Sequence, residues 1–193
     1  MSSTASTPSS SPAAPARTVS AAGDGHGLLD IKSLIVLALL LAAALILNMT
    51  VGNALASTGI KPQFIVAAYT LTVLLTRANV PQAALYGLIS AAVVQLSTSI
   101  PGLNLVTEPI AAAAMALLIR AGLKVGGRDV TPLVATFCAT LVSGALFATL
   151  GTLVMGAALP TALAKVPTVL GMSVFNAVFV QAVYLPMRAV FRK

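Results

Sequence analysis

Gln95-Leu-Ser-Thr-Ser-Ile-Pro-Gly-Leu-Asn-Leu-Val-Thr-Glu-Pro109 ends one apolar run and begins the next, and it gathers polar side chains that the surrounding sequence avoids. Gln95, Thr98 and Ser99 stand three and four residues apart, which places them on one face of a helix. Pro101-Gly102 then breaks that helix. Thr107-Glu108-Pro109 reads as the opening of the next, with an oxygen-bearing cap, an acid in the first turn and a proline where no N–H is needed. Backbone that leaves the helix beside membrane-embedded polar groups is tolerated where it is buried in protein or lines a cavity. Two readings follow: a loop that roofs a ligand cavity, or an ordinary interfacial loop with solvated polar residues.

Outward from this stretch the chain is apolar. Its 193 residues are 58% hydrophobic and 8% charged, with a mean hydropathy of +1.00. A soluble domain of this size cannot hide so much apolar surface, so the bilayer is part of its solvent. Residues 1–28 are rich in Ser, Thr, Ala and Pro and read as a disordered tail; residues 29–193 read as one membrane domain. Six runs fill that domain, at about Ser33–Ala56, Pro62–Thr76, Pro81–Ile100, Glu108–Leu123, Thr131–Gly156 and Pro167–Phe191. Prolines 62, 81, 109, 132 and 167 each stand at the start of a run, and Asn79, Thr107 and Asp129 precede three of them as caps. The second and fourth runs are short against the ~20 residues a span needs. A signal peptide needs a basic region running directly into a short apolar one and a small-residue cleavage site; here the apolar run begins only near Leu34 and is long enough to span, so it reads as a retained first helix. The fold expected is all-α and membrane-integral, six transmembrane helices in one compact bundle.

Charge sets the orientation. With the N-terminus in the cytoplasm, nine of the eleven Lys and Arg fall inside, leaving Lys61 and Lys165 outside. The positive-inside rule therefore puts both termini in the cytoplasm. The net charge of +7 is explained in the same way, since the cations sit at the ends of apolar runs rather than in a nucleic-acid-binding patch.

In that orientation the amides cluster toward the outer half. Asn48 and Asn53 close the first helix, Gln63 opens the second, Gln95 ends the third, Asn104 and Glu108 flank the central loop, and Asn176 lies in the sixth. An unpaired polar group in hydrocarbon costs ~2 kcal/mol or more, so such groups face the bundle interior or a cavity. These seven are the candidate substrate contacts. Taken singly, each is equally well read as interhelical glue. Glu108 is open to two roles, accepting from or pairing with a ligand ammonium, or complementing the helix dipole. Lys61 meets either a ligand carboxylate or lipid phosphate.

Ala38 and Ala42 lie four apart in the first run, where small residues let another helix approach; their face diverges from that of Asn48. Ala83/Gly87/Ala91 and Ala112/Ala116 repeat the pattern. Six short helices, termini inside, an alanine pair in the cytoplasmic half of the first helix and polar outer loops together resemble the substrate-binding (S) components of energy-coupling-factor (ECF) transporters. Over about residues 59–113, Gly59-Ile-Lys-Pro62, Pro81, the helix from Gly87 to Ala92 and Ser99-Ile-Pro-Gly102 look like the tryptophan-type S component. After Pro101-Gly102 the sequence departs from that type: the loop is shortened and Glu108-Pro109 stands where an acid–base pair is expected. The resemblance implies a multi-pass protein of a prokaryotic inner (plasma) membrane that captures a small nutrient, tryptophan or a related amino acid or vitamin, from outside. It implies a transmembrane (T) component docking on Ala38 and Ala42, and two partner ATPase subunits that use ATP.

The chain itself has no phosphate-cradling GxxxxGK[ST] loop, and no catalytic, metal or cofactor group is expected in it. Cys138 is the only cysteine and His26, in the tail, the only histidine, which gives thiolate, haem and histidine-triad chemistry little to work with. An intramembrane enzyme of the acid-dependent kind would need clustered carboxylates, and Glu108 stands alone. The alternative kept is a stand-alone small secondary carrier or channel, which would show buried charges along a path or inverted repeats.

Overall fold

The computed structural model describes residues 30–59, 61–125 and 128–191; the tail expected over residues 1–28 lies outside them. Six helices carry the fold: α1 (Ile31–Ala56), α2 (Phe64–Thr76), α3 (Val80–Val94), α4 (Asn104–Ala121), α5 (Thr131–Val154) and α6 (Val166–Phe191). A five-residue helix, Pro160–Ala164, precedes α6, and a two-residue ladder, β1 (Lys124–Val125) on β2 (Arg128–Asp129), joins α4 to α5. Neither was expected from the sequence. Four helices, α1, α4, α5 and α6, are long and apolar enough to cross a membrane, which marks the chain as a membrane protein.

The two shorter helices explain the packing. At 1.5 Å per residue, α2 and α3 reach about 20–23 Å against a hydrocarbon core of about 30 Å. Every residue of α2 from Phe64 to Leu74 is buried. A helix apolar on all sides belongs inside the bundle, and α2 is its centre, packed against α1, α3, α4, α5 and α6. Phe64 meets Phe175 and Phe179 of α6 edge-on, with centroids 6.0 and 5.3 Å apart. The second short helix is the third run rather than the fourth: α3 stops at Val94, and α4 begins at Asn104.

Several start signals hold. Asn79 forms a full capping box, its side chain accepting from the Gln82 amide at 2.9 Å while the Asn79 amide donates to Gln82 Oε1 at 3.0 Å. Asn79→Ala is expected to cost about 1 kcal/mol, or roughly 2–4 °C in Tm for a chain of this length, measured in detergent. Pro81, Pro132 and Pro167 occupy second positions of α3, α5 and α6. Asp129 accepts from the Thr131 amide at 3.0 Å, although Val130 holds the cap position itself. Pro62 stands before the cap residue Gln63 rather than inside α2.

One start is corrected. Thr107-Glu108-Pro109 does not open α4; the helix begins at Asn104 and Pro109 lies in its interior. The chain turns at Gly102, whose φ of +84° suits a residue without a Cβ, and helical backbone follows at once. Pro109 has no N–H for the carbonyl of Leu105, a residue on the exposed side of the helix. Thr98 and Ser99 do not share a helical face with Gln95, because α3 has already ended.

Two backbone departures frame the ends of the bundle. α1 widens to a π-helical turn over Asn48–Gly52, a form that tends to mark functional positions. At the opposite end α2 closes on Arg77 with φ 49° and ψ 42°, a left-handed cap usually given to Gly or Asn. Arg77 is the only non-glycine with positive φ among the described residues, at a cost of about 1–2 kcal/mol.

Candidate functional site

The polar residues of α4 and the loop before it form two sets of hydrogen bonds, one around Gln95 and one running from Thr98 to Glu108. Gln95 donates to the Ala91 carbonyl at 3.0 Å and accepts from the Gly102 amide at 2.8 Å, so it fastens the loop to the end of α3. Thr98 Oγ1 donates to Asn104 Oδ1 at 2.7 Å, and Asn104 Nδ2 donates to Glu108 Oε1 at 3.3 Å. These local bonds replace the helix that the sequence pattern led one to expect.

Glu108 is the hub. Its side chain is 3% exposed, and it gathers donors from three helices. Ser143 Oγ of α5 reaches Oε1 at 2.7 Å, Thr107 Oγ1 lies 3.5 Å from the same oxygen, and Tyr69 of α2 donates to Oε2 at 3.0 Å. A carboxylate offers about four acceptor positions; three donors converge here on Oε1, while among the described residues Oε2 accepts from Tyr69 alone, which leaves it a position for a further donor. The helix-dipole role is set aside: Glu108 sits beyond the first turn and binds side chains across the bundle.

Beside this hub lies a cavity of about 260 Å³, walled by Asn48, Lys61, Gln63, Val94, Ser97, Thr98, Ser99, Asn104, Glu108 and Phe147 among others. Its volume is just under the about 300–1,000 Å³ usual for drug-sized ligands, a fit for one small polar molecule. Asn48 lies on the inward face of α1, where its Nδ2 donates to Ser97 Oγ at 3.1 Å. Gln63 Oε1 is buried and has no hydrogen-bond partner among the described residues. An amide oxygen left so is worth about 1–3 kcal/mol to any donor that reaches it. Lys61 supplies the one cation of the wall, at the opposite chemical extreme from Glu108. The cavity thus offers a cation, a carboxyl, a free acceptor, several hydroxyls and one aromatic ring. That set can hold and orient a small solute bearing both donor and acceptor groups.

Four of the seven residues proposed from sequence, Asn48, Gln63, Asn104 and Glu108, meet at this cavity. Three do not. Asn53 is exposed and donates to the Met49 carbonyl at 2.9 Å. Gln95 is spent on the loop. Asn176 is fully buried within the bundle, where its Nδ2 donates to the Gln63 carbonyl at 3.1 Å and reaches Thr140 Oγ1 at 3.4 Å. It ties α6 to α2 and α5 and supports the backbone that carries Gln63. Sequence reasoning missed Tyr69, Ser143, Ser97 and Phe147. Tyr69 had a signal: a tyrosine in the middle of a buried helix needs a partner for its hydroxyl, which cannot turn back to a carbonyl of its own helix as Thr70, Thr72 and Thr76 do. Ser143 had none, since a mid-helix serine ordinarily bonds the carbonyl four residues back.

A larger cavity, about 320 Å³, lies at the opposite end of the bundle, where α2, α4 and α6 finish. Ala38 and Ala42 are both exposed on the outer face of α1, away from Asn48. Among the described residues no three His, Cys, Asp or Glu side chains come together. No protein-family model, no curated protein and no solved structure matches the chain.

Proposed function

We propose that this chain is the substrate-binding component of an ATP-driven importer of the ECF kind, capturing a small nutrient such as tryptophan or a related amino acid or vitamin. The observation that carries the reading is the polar cavity at one end of the bundle, whose wall includes Lys61, Gln63 with an oxygen unpartnered among the described residues, and the Glu108 hub. In this reading all six helices belong to the membrane domain, with α2 and α3 too short to span unaided. Both termini are cytoplasmic, placing the Glu108 cavity on the outer side of a prokaryotic inner membrane.

The chain performs no bond chemistry in this account. Solute enters from outside and its donor groups take the Gln63 oxygen and an oxygen of Glu108, while its acidic group meets Lys61. The Gln95–Gly102 bond holds the roofing loop in place. The whole bundle then reorients against a T component seated on the exposed Ala38 and Ala42 face, and two separate ATPase subunits supply the energy. Small residues at that face allow helices to approach closely.

The absence of tryptophan from the chain gives a clean test, because indole emission can come only from added ligand. Titration of the purified protein with L-tryptophan is expected to give a saturable blue shift, weakened by Gln63→Leu. No shift up to millimolar ligand removes tryptophan as the substrate. Solute uptake by the chain alone in ATP-free liposomes would sink the importer reading in favour of a self-sufficient carrier.

A further inference from the structure

The cavity at the other end of the bundle has a chemistry of its own. Arg77 from the end of α2, Arg120 from the last turn of α4, Lys124 from β1 and Arg188 from the last turn of α6 all line it, with Asp129 the one acid among them. Three stretches distant in sequence, at Arg77, at Arg120 with Lys124, and at Arg188, therefore bring four cations to a single space of about 320 Å³. Arg188 stands 5.9 Å over the Tyr184 ring; among the described residues none of the four is held in an ion pair.

Helix ends alone do not account for this charge. The carbonyl termini of α2, α4 and α6 amount to roughly half a negative charge each, and the N-terminus of α5 contributes roughly half a positive one. Set against four cations and Asp129, that leaves about two positive charges unbalanced. Asp129 is itself kept ionised: hydrogen bonding from Thr131, helped by Arg188 and Lys124, holds its carboxyl below the usual carboxylate range. Arg77 adds an independent sign. It occupies a left-handed backbone position that favours glycine, so the fold accepts strain where a residue without a side chain would relieve it. Strained positions of this sort collect at sites of ligand contact.

We propose that this cavity is a phosphate-binding site, filled in the membrane by the phosphate of an anionic lipid headgroup. The guanidinium groups of Arg77, Arg120 and Arg188 present paired N–H donors that suit a phosphate. The cavity lies where the apolar helices give out, which in a bilayer spanned by those helices is the depth of the headgroups. Basic pockets between transmembrane helices take such headgroups. The proposal stands independently of the transport reading, since it shares no residue with the Glu108 cavity.

The test is native mass spectrometry of the whole purified chain in non-ionic detergent with added phosphatidylglycerol or phosphatidylcholine. The variants are Arg77→Gly, which suits the left-handed backbone and so keeps the fold, and Arg77→Gly with Arg120→Gln. Wild type is expected to retain phosphatidylglycerol in preference to phosphatidylcholine, with about fivefold weaker retention for each cation removed. Should no lipid be retained while millimolar inorganic phosphate raises the Tm of wild type but not of the double variant, the site stands and its ligand is free phosphate. Equal retention of both lipids, variants that bind as wild type does, or no response to either probe overturns the proposal.

Discussion

Glu108→Ala is expected to lower stability by about 3–5 kcal/mol, roughly 10 °C in Tm, and to abolish solute binding. The substitution leaves Tyr69, Asn104, Thr107 and Ser143 directed at an oxygen that no longer exists. The losses are unequal. Thr107 and Ser143 can turn back to helix carbonyls, as mid-helix hydroxyls commonly do. The buried Tyr69 hydroxyl and the Asn104 amide lack that escape on the same helix turn, and each retains a desolvation cost of about 1–3 kcal/mol. Glu108→Gln separates the structural role from the ligand role. It keeps the volume and one acceptor, so the Tm is expected to fall by only a few degrees, while affinity for a solute that donates to the carboxyl falls about tenfold or more, the scale of a lost charge-assisted hydrogen bond. Thermal melts and ligand titration on the same preparations check both values. Equal behaviour of wild type and Glu108→Gln in both assays would remove Glu108 from the site.

Gly87→Val is expected to be the most disruptive substitution in the packing between α3 and α4. A Cβ at Gly87 would lie 2.6 Å from the Glu108 carbonyl oxygen and 2.9 Å from Ala112 Cβ. The obstacle is backbone, which cannot swing aside as a side chain does. The two helices must separate, at a cost of about 3 kcal/mol or more for valine. Gly144→Ala provides the comparison, because its nearest neighbour at 2.8 Å is a methyl of Val169 that can rotate; a loss of about 1 kcal/mol is expected there. The carbonyl struck by the Gly87 substitution belongs to Glu108 itself, so solute affinity should fall together with Tm for Gly87→Ala, even where the protein still folds. A Gly87→Ala protein with normal affinity would show that the α3–α4 spacing does not set the site.

Much of the architecture could be read from the chain because its signals are local. Apolar runs bounded by Asn79-Val-Pro81 and by Asp129-Val-Thr-Pro132 gave helix starts within a residue or two of α3 and α5. Asn79 as a cap is a property of four consecutive residues, Asn79 to Gln82. The start of α4 was misplaced because two sets of local signals compete there. Thr107-Glu108-Pro109 has the composition of a cap, but Gly102 with positive φ and the Thr98–Asn104 bond nucleate the helix one turn earlier. The Lys124–Asp129 ladder and the Pro160–Ala164 helix are too short to leave a periodic pattern.

The site was legible only where position along a helix fixed depth. Asn48, Gln63, Asn104 and Glu108 lie near the same end of their helices, and that end became the cavity wall. Depth does not reveal which way a side chain turns. Asn53 lies one turn past Asn48 but faces outward, and Asn176 faces the bundle interior, where a backbone carbonyl claims it. The partners of Glu108 depend on the crossing of α2, α4 and α5. The position of α4 against α3 is set by small residues such as Gly87 and Ala112, whose pattern in an alanine-rich sequence looks accidental until the helices are seen in contact.

The central claim is that the Glu108 cavity holds a small solute. Native mass spectrometry of the full chain, extracted from the membranes in which it was made, tests it most directly when wild type is compared with Gln63→Leu and Glu108→Gln. The account predicts a small-molecule adduct on wild type that both variants lose, while phosphatidylglycerol retained at the Arg77 end is unchanged. A small-molecule adduct held equally by all three proteins, or a wild type that stays bare when amino acids and vitamins are added back, would contradict it.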